Sequence, residues 1–214
     1  MPADLFELEE LRQLIEGNKT FVRKTLVNEP KLLKKNAAGQ SPEVLWIGCA
    51  DSRVPETTVC HSKPGDIFVH RNIANVVQAD DASSAAVIEF AVAHLKVKRI
   101  VVCGHTKCGG ANAALGDADL GPTLNRWLEP LRALRRKHEG ELKKLASPDD
   151  CATRVAEINV HAGVETLKKN KTVAKAMEDR GLTVHGMIFD IAEGELRVLE
   201  EKPAAQGLWN MVNR

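Results

Sequence analysis

Residues Val44–Val54 read VLWIGCADSRV. The first four form an unbroken apolar run. Apolarity on both faces over a short length marks a strand buried in a parallel sheet, where helices cover each side. The run predicts a strand over Val44–Cys49. Beyond it the chemistry changes: Cys49, Asp51 and Arg53 occupy alternate positions, so in an extended chain they share one side. A soft metal ligand, a carboxylate and a permanent positive charge are thereby set together at the carboxyl end of a buried strand.

The same pattern recurs further along. Arg99–Gly104 (RIVVCG) is the clearest buried strand in the chain, and His105-Thr106-Lys107-Cys108 follows it directly. Asp66–Arg71 is a strand between these two, opened by the turn Lys63-Pro64-Gly65. Ser83–Leu95 reads as a helix capped by Ser83 or Ser84, with Val87, Phe90, Ala91 and Leu95 facing inward. Gly109-Gly110 opens a short helix to about Leu115, and Asp117–Pro122 is loop. Leu124, Trp127, Leu128, Leu131 and Leu134 mark a helix ending near Gly140. Ser147-Pro148-Asp149-Asp150 is a start signal for a helix over Cys151–Lys169. A shorter helix spans Thr172–Arg180, and Leu182–Ile191 with Glu195–Leu199 form a terminal strand pair. Alternating strands and helices predict an α/β fold with a central, mainly parallel sheet flanked by helices.

Upstream of Val44 the rhythm is helical. Leu5, Leu8, Leu11 and Ile15 recur at helical spacing behind Asp4, a residue type suited to capping the start. Phe21, Val22 and Leu26 continue as a second segment after Gly17-Asn18, and a further turn covers Lys31–Lys35 after Pro30. Residues 1–40 are read as a helical arm and residues 41–214 as the α/β domain. The arm packs either on its own domain or on a partner subunit.

Composition excludes several classes. Among 214 residues, 30 are Lys or Arg and 29 are Asp or Glu, so there is no basic surplus for nucleic acid or an anionic membrane. No run approaches the roughly 18 apolar residues of a membrane span. The stretch Met1–Glu7 carries acids where a targeting peptide carries bases, which predicts a cytoplasmic protein. The five cysteines, Cys49, Cys60, Cys103, Cys108 and Cys151, are odd in number and include no Cys-x-x-Cys pair. That argues against a disulfide framework, a zinc ribbon or a thioredoxin-type site.

Open α/β sheets bind ligands at the carboxyl ends of their strands. Cys49 from one strand end and His105 and Cys108 from another would meet there. Two thiolates and an imidazole suit zinc, and three protein ligands leave a fourth position for chemistry. Asp51 is either a fourth ligand or an acceptor for a water on the metal. Arg53 can hold Asp51 with a bidentate bond and keep it off the metal.

With these residues in view, the sequence resembles the β-class carbonic anhydrases. The matching blocks are Gln40–Glu56 (QSPEVLWIGCADSRVPE), Pro64–Asn75 (PGDIFVHRNIAN), Val101–Gly110 (VVCGHTKCGG) and, more weakly, His185–Gly194 (HGMIFDIAEG). The resemblance implies one zinc ion per subunit on Cys49, His105 and Cys108, and an Asp51–Arg53 dyad. It implies reversible hydration of carbon dioxide to bicarbonate and a proton through zinc-bound hydroxide. It implies a homodimer or homotetramer with the arm wrapped over a partner and the active site at the interface. Substrate contacts fall on Gln40, Phe68, Ile73 and the Gly109 amide. A regulatory bicarbonate site found in one branch would involve Trp46, Val54 and Arg71. Phe189 stands where that branch has a tyrosine, and the chain has no tyrosine. The short loop Val76–Ala82 is similar to the bacterial and fungal branch. Two thiolates cancel the charge of a zinc ion, so Asp51 is expected to compensate by orienting the hydroxide. Two other readings keep the zinc site: a hydrolase of carbon disulfide or carbonyl sulfide, and a homologue that has lost catalysis.

Overall fold

A computed structural model describes residues 9–200. Asp4, Leu5 and Leu8 of the expected first helix lie outside them. The chain divides into two compact units that part at Gln40. The first holds α1 (Glu9–Asn28) and α2 (Leu32–Ala38). The break expected at Gly17-Asn18 does not occur. One glycine costs a helix about 1 kcal/mol relative to alanine, and the good helix formers around it carry the helix through.

The second unit is built on a five-stranded sheet in the order β2-β1-β3-β4-β5. The strands are β1 (Val44–Cys49), β2 (Ile67–Asn72), β3 (Arg99–His105), β4 (Thr183–Asp190) and β5 (Glu195–Leu199). The first four are parallel, and β5 runs antiparallel to β4. The two central runs that read as apolar on both faces, β1 and β3, are the most buried strands. Edge strand β2 is half-buried throughout.

Chain order places the site. From β1 the chain moves out to β2 on one side, then returns to β3 on the other. The carboxyl ends of β1 and β3 therefore flank a topological switch point, where the connections leave in opposite directions and open a crevice.

The connecting helices are α3 (Glu56–Val59), α4 (Ala82–Glu89), α5 (Gly109–Ala113), α6 (Pro122–Lys137), α7 (Glu139–Leu142), α8 (Pro148–Lys169) and α9 (Lys171–Arg180). Ser147 caps α8, its hydroxyl accepting from the Asp150 amide. The cap of α4 is Asp81, not Ser83 or Ser84; its carboxylate accepts from both of those amides. Helix α4 continues as a π turn, Phe90–His94. Phe90 does not face inward: the buried stripe runs through Ser84, Ile88, Ala91 and Val92, and Phe90 lies off it, 45% exposed. Phe90 instead stacks on Phe68, with ring centroids 5.8 Å apart.

Helix α8 lies against β3 and β4, and glycines permit the approach. A Cβ at Gly186 would sit 2.8 Å from Val160 Cγ1, and one at Gly104 would sit 3.0 Å from Val160 Cγ2. Among the described residues no helix is long and apolar enough to cross a membrane.

Candidate metal centre

Cys49 is the last residue of β1, His105 the last of β3, and Cys108 the residue just before α5. The turn between the last two bends through Lys107, which takes a left-handed φ of 56°. Adjacent strand ends and this tight turn bring one ligand atom from each residue within 4.8 Å of the others. All three residues are buried.

The donor set fits a zinc ion. His105 Nδ1 lies 2.8 Å from the Thr106 carbonyl, which fixes the proton there and leaves the Nε2 lone pair directed at the cluster. Nε2 is fully buried and has no hydrogen-bond partner. A buried nitrogen without a partner is costly unless something else occupies its lone pair. The two thiols compete for a proton: Cys49 is held well below its ordinary range, first by Cys108 beside it, and Cys108 is pushed up. Thiolate is the metal-binding form, and the shift of Cys49 runs toward it. Cys60 and Cys103 differ, since burial pushes both thiols up and away from that form.

Asp51 stands outside the ligand group. Arg53 grips it at two points, Nε donating to Oδ1 at 2.9 Å and Nη2 to Oδ2 at 2.7 Å. The Arg53 amide adds a third bond to Oδ1 at 3.0 Å, and Nη2 also donates to the Lys107 carbonyl at 3.1 Å. The guanidinium holds the Asp51 carboxyl well below the usual carboxylate range. Asp51 is therefore ionised and aimed, with Oδ2 3.8 Å from His105 Nε2.

Arg71 braces this segment from β2. Its Nε donates to the Cys49 carbonyl at 2.7 Å and its Nη2 donates to the Asp51 carbonyl. Glu56, itself buried, faces it at 3.9 Å. Trp46, Val54 and Phe189 pack in one buried cluster. The Trp46 Nε1 lies over Gly48, the register partner of Arg71. The residues expected at a regulatory site thus lie together, with two of Arg71's donors already given to main-chain carbonyls.

The expected substrate residues are more scattered. Gly109 is exposed beside Cys108. Ile73 is 45% exposed in a 3-10 turn, Ile73–Asn75, that follows β2. Phe68 pairs with Leu45, four register positions before the Asn72–Cys49 pair, or roughly 13 Å along the strand. A single chain does not bring Phe68 to the metal ligands. Gln40 is exposed and is the last residue of the first unit.

Sequence reasoning assigned no role to Asn72, Ala74 or Asn159. Ala74 and Asn75 both take left-handed φ values, 60° and 46°. At alanine such backbone costs about 1–3 kcal/mol and persists only where surroundings force it, while asparagine accepts it more readily. The available signal was Asn72 just before the turn, with Asn75 at its end, since asparagine favours turns and can brace them through its own side chain. Asn159 stood out as an amide within the apolar stripe of α8.

A mainly parallel sheet with a buried cysteine–histidine–cysteine group at its switch point makes this an α/β protein with a candidate metal centre. The carbonic anhydrase family pattern matches residues 44–196. A carbonic anhydrase from Emericella nidulans is 45% identical over 188 residues, covering 87% of this chain and 82% of the relative. One from Pseudomonas aeruginosa is 35% identical, covering 89% and 88%. The β-carbonic anhydrase structure from Aspergillus fumigatus superposes with a TM-score of 0.88 at 51% identity, covering 91% of this chain and 93% of that one. A β-carbonic anhydrase from Sordaria macrospora, described as tetrameric, superposes with a TM-score of 0.89 at 45% identity, covering 92% and 100%. The chain belongs to the β-class carbonic anhydrases and is an enzyme of that family.

Proposed function

We propose that Cys49, His105 and Cys108 hold one zinc ion, and that the site converts carbon dioxide and water reversibly to bicarbonate and a proton. The observation carrying this reading is the buried, unpartnered His105 Nε2 between two thiols, beside an Asp51 locked onto Arg53 rather than onto the ligands. Zinc, when bound, supplies the Lewis acidity that makes water a nucleophile.

The chain's own groups do the rest. An ionised Asp51 accepts hydrogen bonds and cannot donate them, so it turns the attacking water's hydrogen toward itself and its lone pair toward carbon dioxide. Arg53 fixes Asp51 and adds positive charge that favours the anionic product. The exposed Gly109 amide is a further donor for that anion. The tetrameric assembly of the Sordaria relative, and the exposed apolar side chains of α1, support a homo-oligomer.

Stopped-flow carbon dioxide hydration on metal-analysed protein tests the reading. Wild-type chain with one zinc should turn over, and Asp51→Ala should lose about 100-fold or more while keeping its zinc. No turnover at full zinc occupancy overturns the activity. Unchanged turnover in Asp51→Ala overturns the role of Asp51.

A further inference from the structure

The turn Ile73–Asn75 is an expensive piece of backbone beside the metal ligands. Two consecutive non-glycine residues are left-handed there, and both are buried. Four hydrogen bonds from three side chains hold it in that shape. Asn72 Oδ1 accepts from the Val76 amide at 2.8 Å, and Asn72 Nδ2 donates to the Val76 carbonyl at 2.9 Å, closing the turn on itself. Asn159, from the middle of α8, donates to the Ala74 carbonyl at 2.9 Å. Trp127, from α6, donates through Nε1 to the Ile73 carbonyl at 2.9 Å. Gly110 leaves room for the turn: a Cβ there would lie 2.8 Å from Ala74 Cβ. The result of this bracing is one contact, the Ala74 amide donating to Cys49 Sγ at 3.3 Å.

Held strain that converges on a single polar contact points to function. We propose that Asn72 and Asn159 are positioning residues of the metal centre, holding the left-handed turn so that the Ala74 N–H donates to the Cys49 sulfur. The proposal rests on the reading of Cys49 as a metal ligand. The physical consequence follows from charge. Two thiolates push electron density onto the ion and blunt its Lewis acidity. An N–H directed at one sulfur draws part of that density back and fixes the sulfur's direction. The donor must be a backbone amide in a rigid turn, because a mobile side chain or a water would not hold the geometry.

Cadmium-substituted wild-type protein tests the contact without any mutation. Its Ala74 amide proton should show a through-hydrogen-bond NMR coupling to the metal by way of Cys49. A bound metal with no such coupling overturns the proposal, whereas a protein that binds no metal overturns the ligand assignment instead. The variants Asn159→Leu and Asn72→Ala then test the positioning role. Each should weaken metal affinity by about 10- to 100-fold in chelator competition. Each should also shift the sulfur-to-metal charge-transfer band of the cobalt-substituted protein to longer wavelength. Asn72→Asp, which keeps the acceptor for Val76 and loses the donor, should fall between. Val173→Ala, which opens a cavity under α9 in the core cluster remote from Cys49 and Ala74, is the control: it should lower the melting temperature without moving affinity or band. Unchanged affinity and spectrum in both Asn159→Leu and Asn72→Ala would reduce the turn to scaffolding, and so would equal changes in Val173→Ala.

Discussion

Asp51 is defined by what Arg53 does to it. Two guanidinium bonds and one amide bond leave the carboxylate no freedom to swing toward the ligands, although Oδ2 is 3.8 Å from His105 Nε2. Lysine cannot reproduce this grip: an ammonium is a point charge, with no planar fork to match two carboxylate oxygens or to reach the Lys107 carbonyl as well. Arg53→Lys should therefore keep the zinc and lose about 10- to 100-fold in kcat, the usual scale for a misplaced catalytic group. Steady-state hydration with metal analysis decides it, and full activity in Arg53→Lys would leave the pair merely structural. The residues of this centre were legible because their types are rare and their spacing is chemical. Cys49, His105 and Cys108 read as a potential ligand set and Asp51 with Arg53 as a pair before any fold is known, and the structure brings each group together. Asn159 could not be read that way. Its meaning arises only when α8 carries it to the Ala74 carbonyl, 85 positions away in sequence.

At the scale of elements, legibility followed burial. Both faces of β1 and β3 are covered, so their apolar runs were unbroken and their extents fell within a residue of observation. The turn after β2 has no such signature. Left-handed backbone at Ala74 is imposed by tertiary contacts rather than by local preference, whereas Asn75 adopts it readily. The start of α4 shows a subtler competition, because Asp81, Ser83 and Ser84 are all good caps. Asp81 wins by accepting from both serine amides, at 3.3 Å and 3.0 Å. Asp81→Ala should cost about 1 kcal/mol, the usual worth of such a cap. The hydrogen bond from Ser84, with the two amides, lowers the Asp81 carboxyl below its unfolded value, so the stabilisation belongs to the ionised form. It should be fully present above the unfolded carboxylate pKa of about 3.9 and fade as pH falls through the lower folded value. Urea denaturation of both proteins from pH 7 down to pH 3 measures this. A wild-type advantage that grew on acidification would contradict the assignment.

For the whole molecule, the metal centre and the substrate pocket need not be completed by the same chain. All three ligand residues, the dyad and the bracing turn lie within residues 49–159 of one unit. Phe68, by contrast, sits about 13 Å down the strand from the ligands of its own chain, stacked on Phe90. If Phe68 contacts substrate, it does so in a second subunit's site. For the homo-oligomer proposed above, helix α1 is the candidate contact: Leu14 is 70% and Val27 79% exposed, and Leu26 is 53% exposed. Apolar side chains left this open in one chain mark an interaction face. The double substitution Leu14→Lys with Val27→Lys should lower the oligomer's mass in sedimentation velocity. The dissociated chain should keep one zinc, because its ligands are its own, yet lose catalytic efficiency because its pocket lacks a neighbour's wall. Retained mass would show that α1 is not the contact. Dissociation with unchanged kcat/KM would show that each chain completes its site alone, and that Phe68 belongs to the core where a single chain places it.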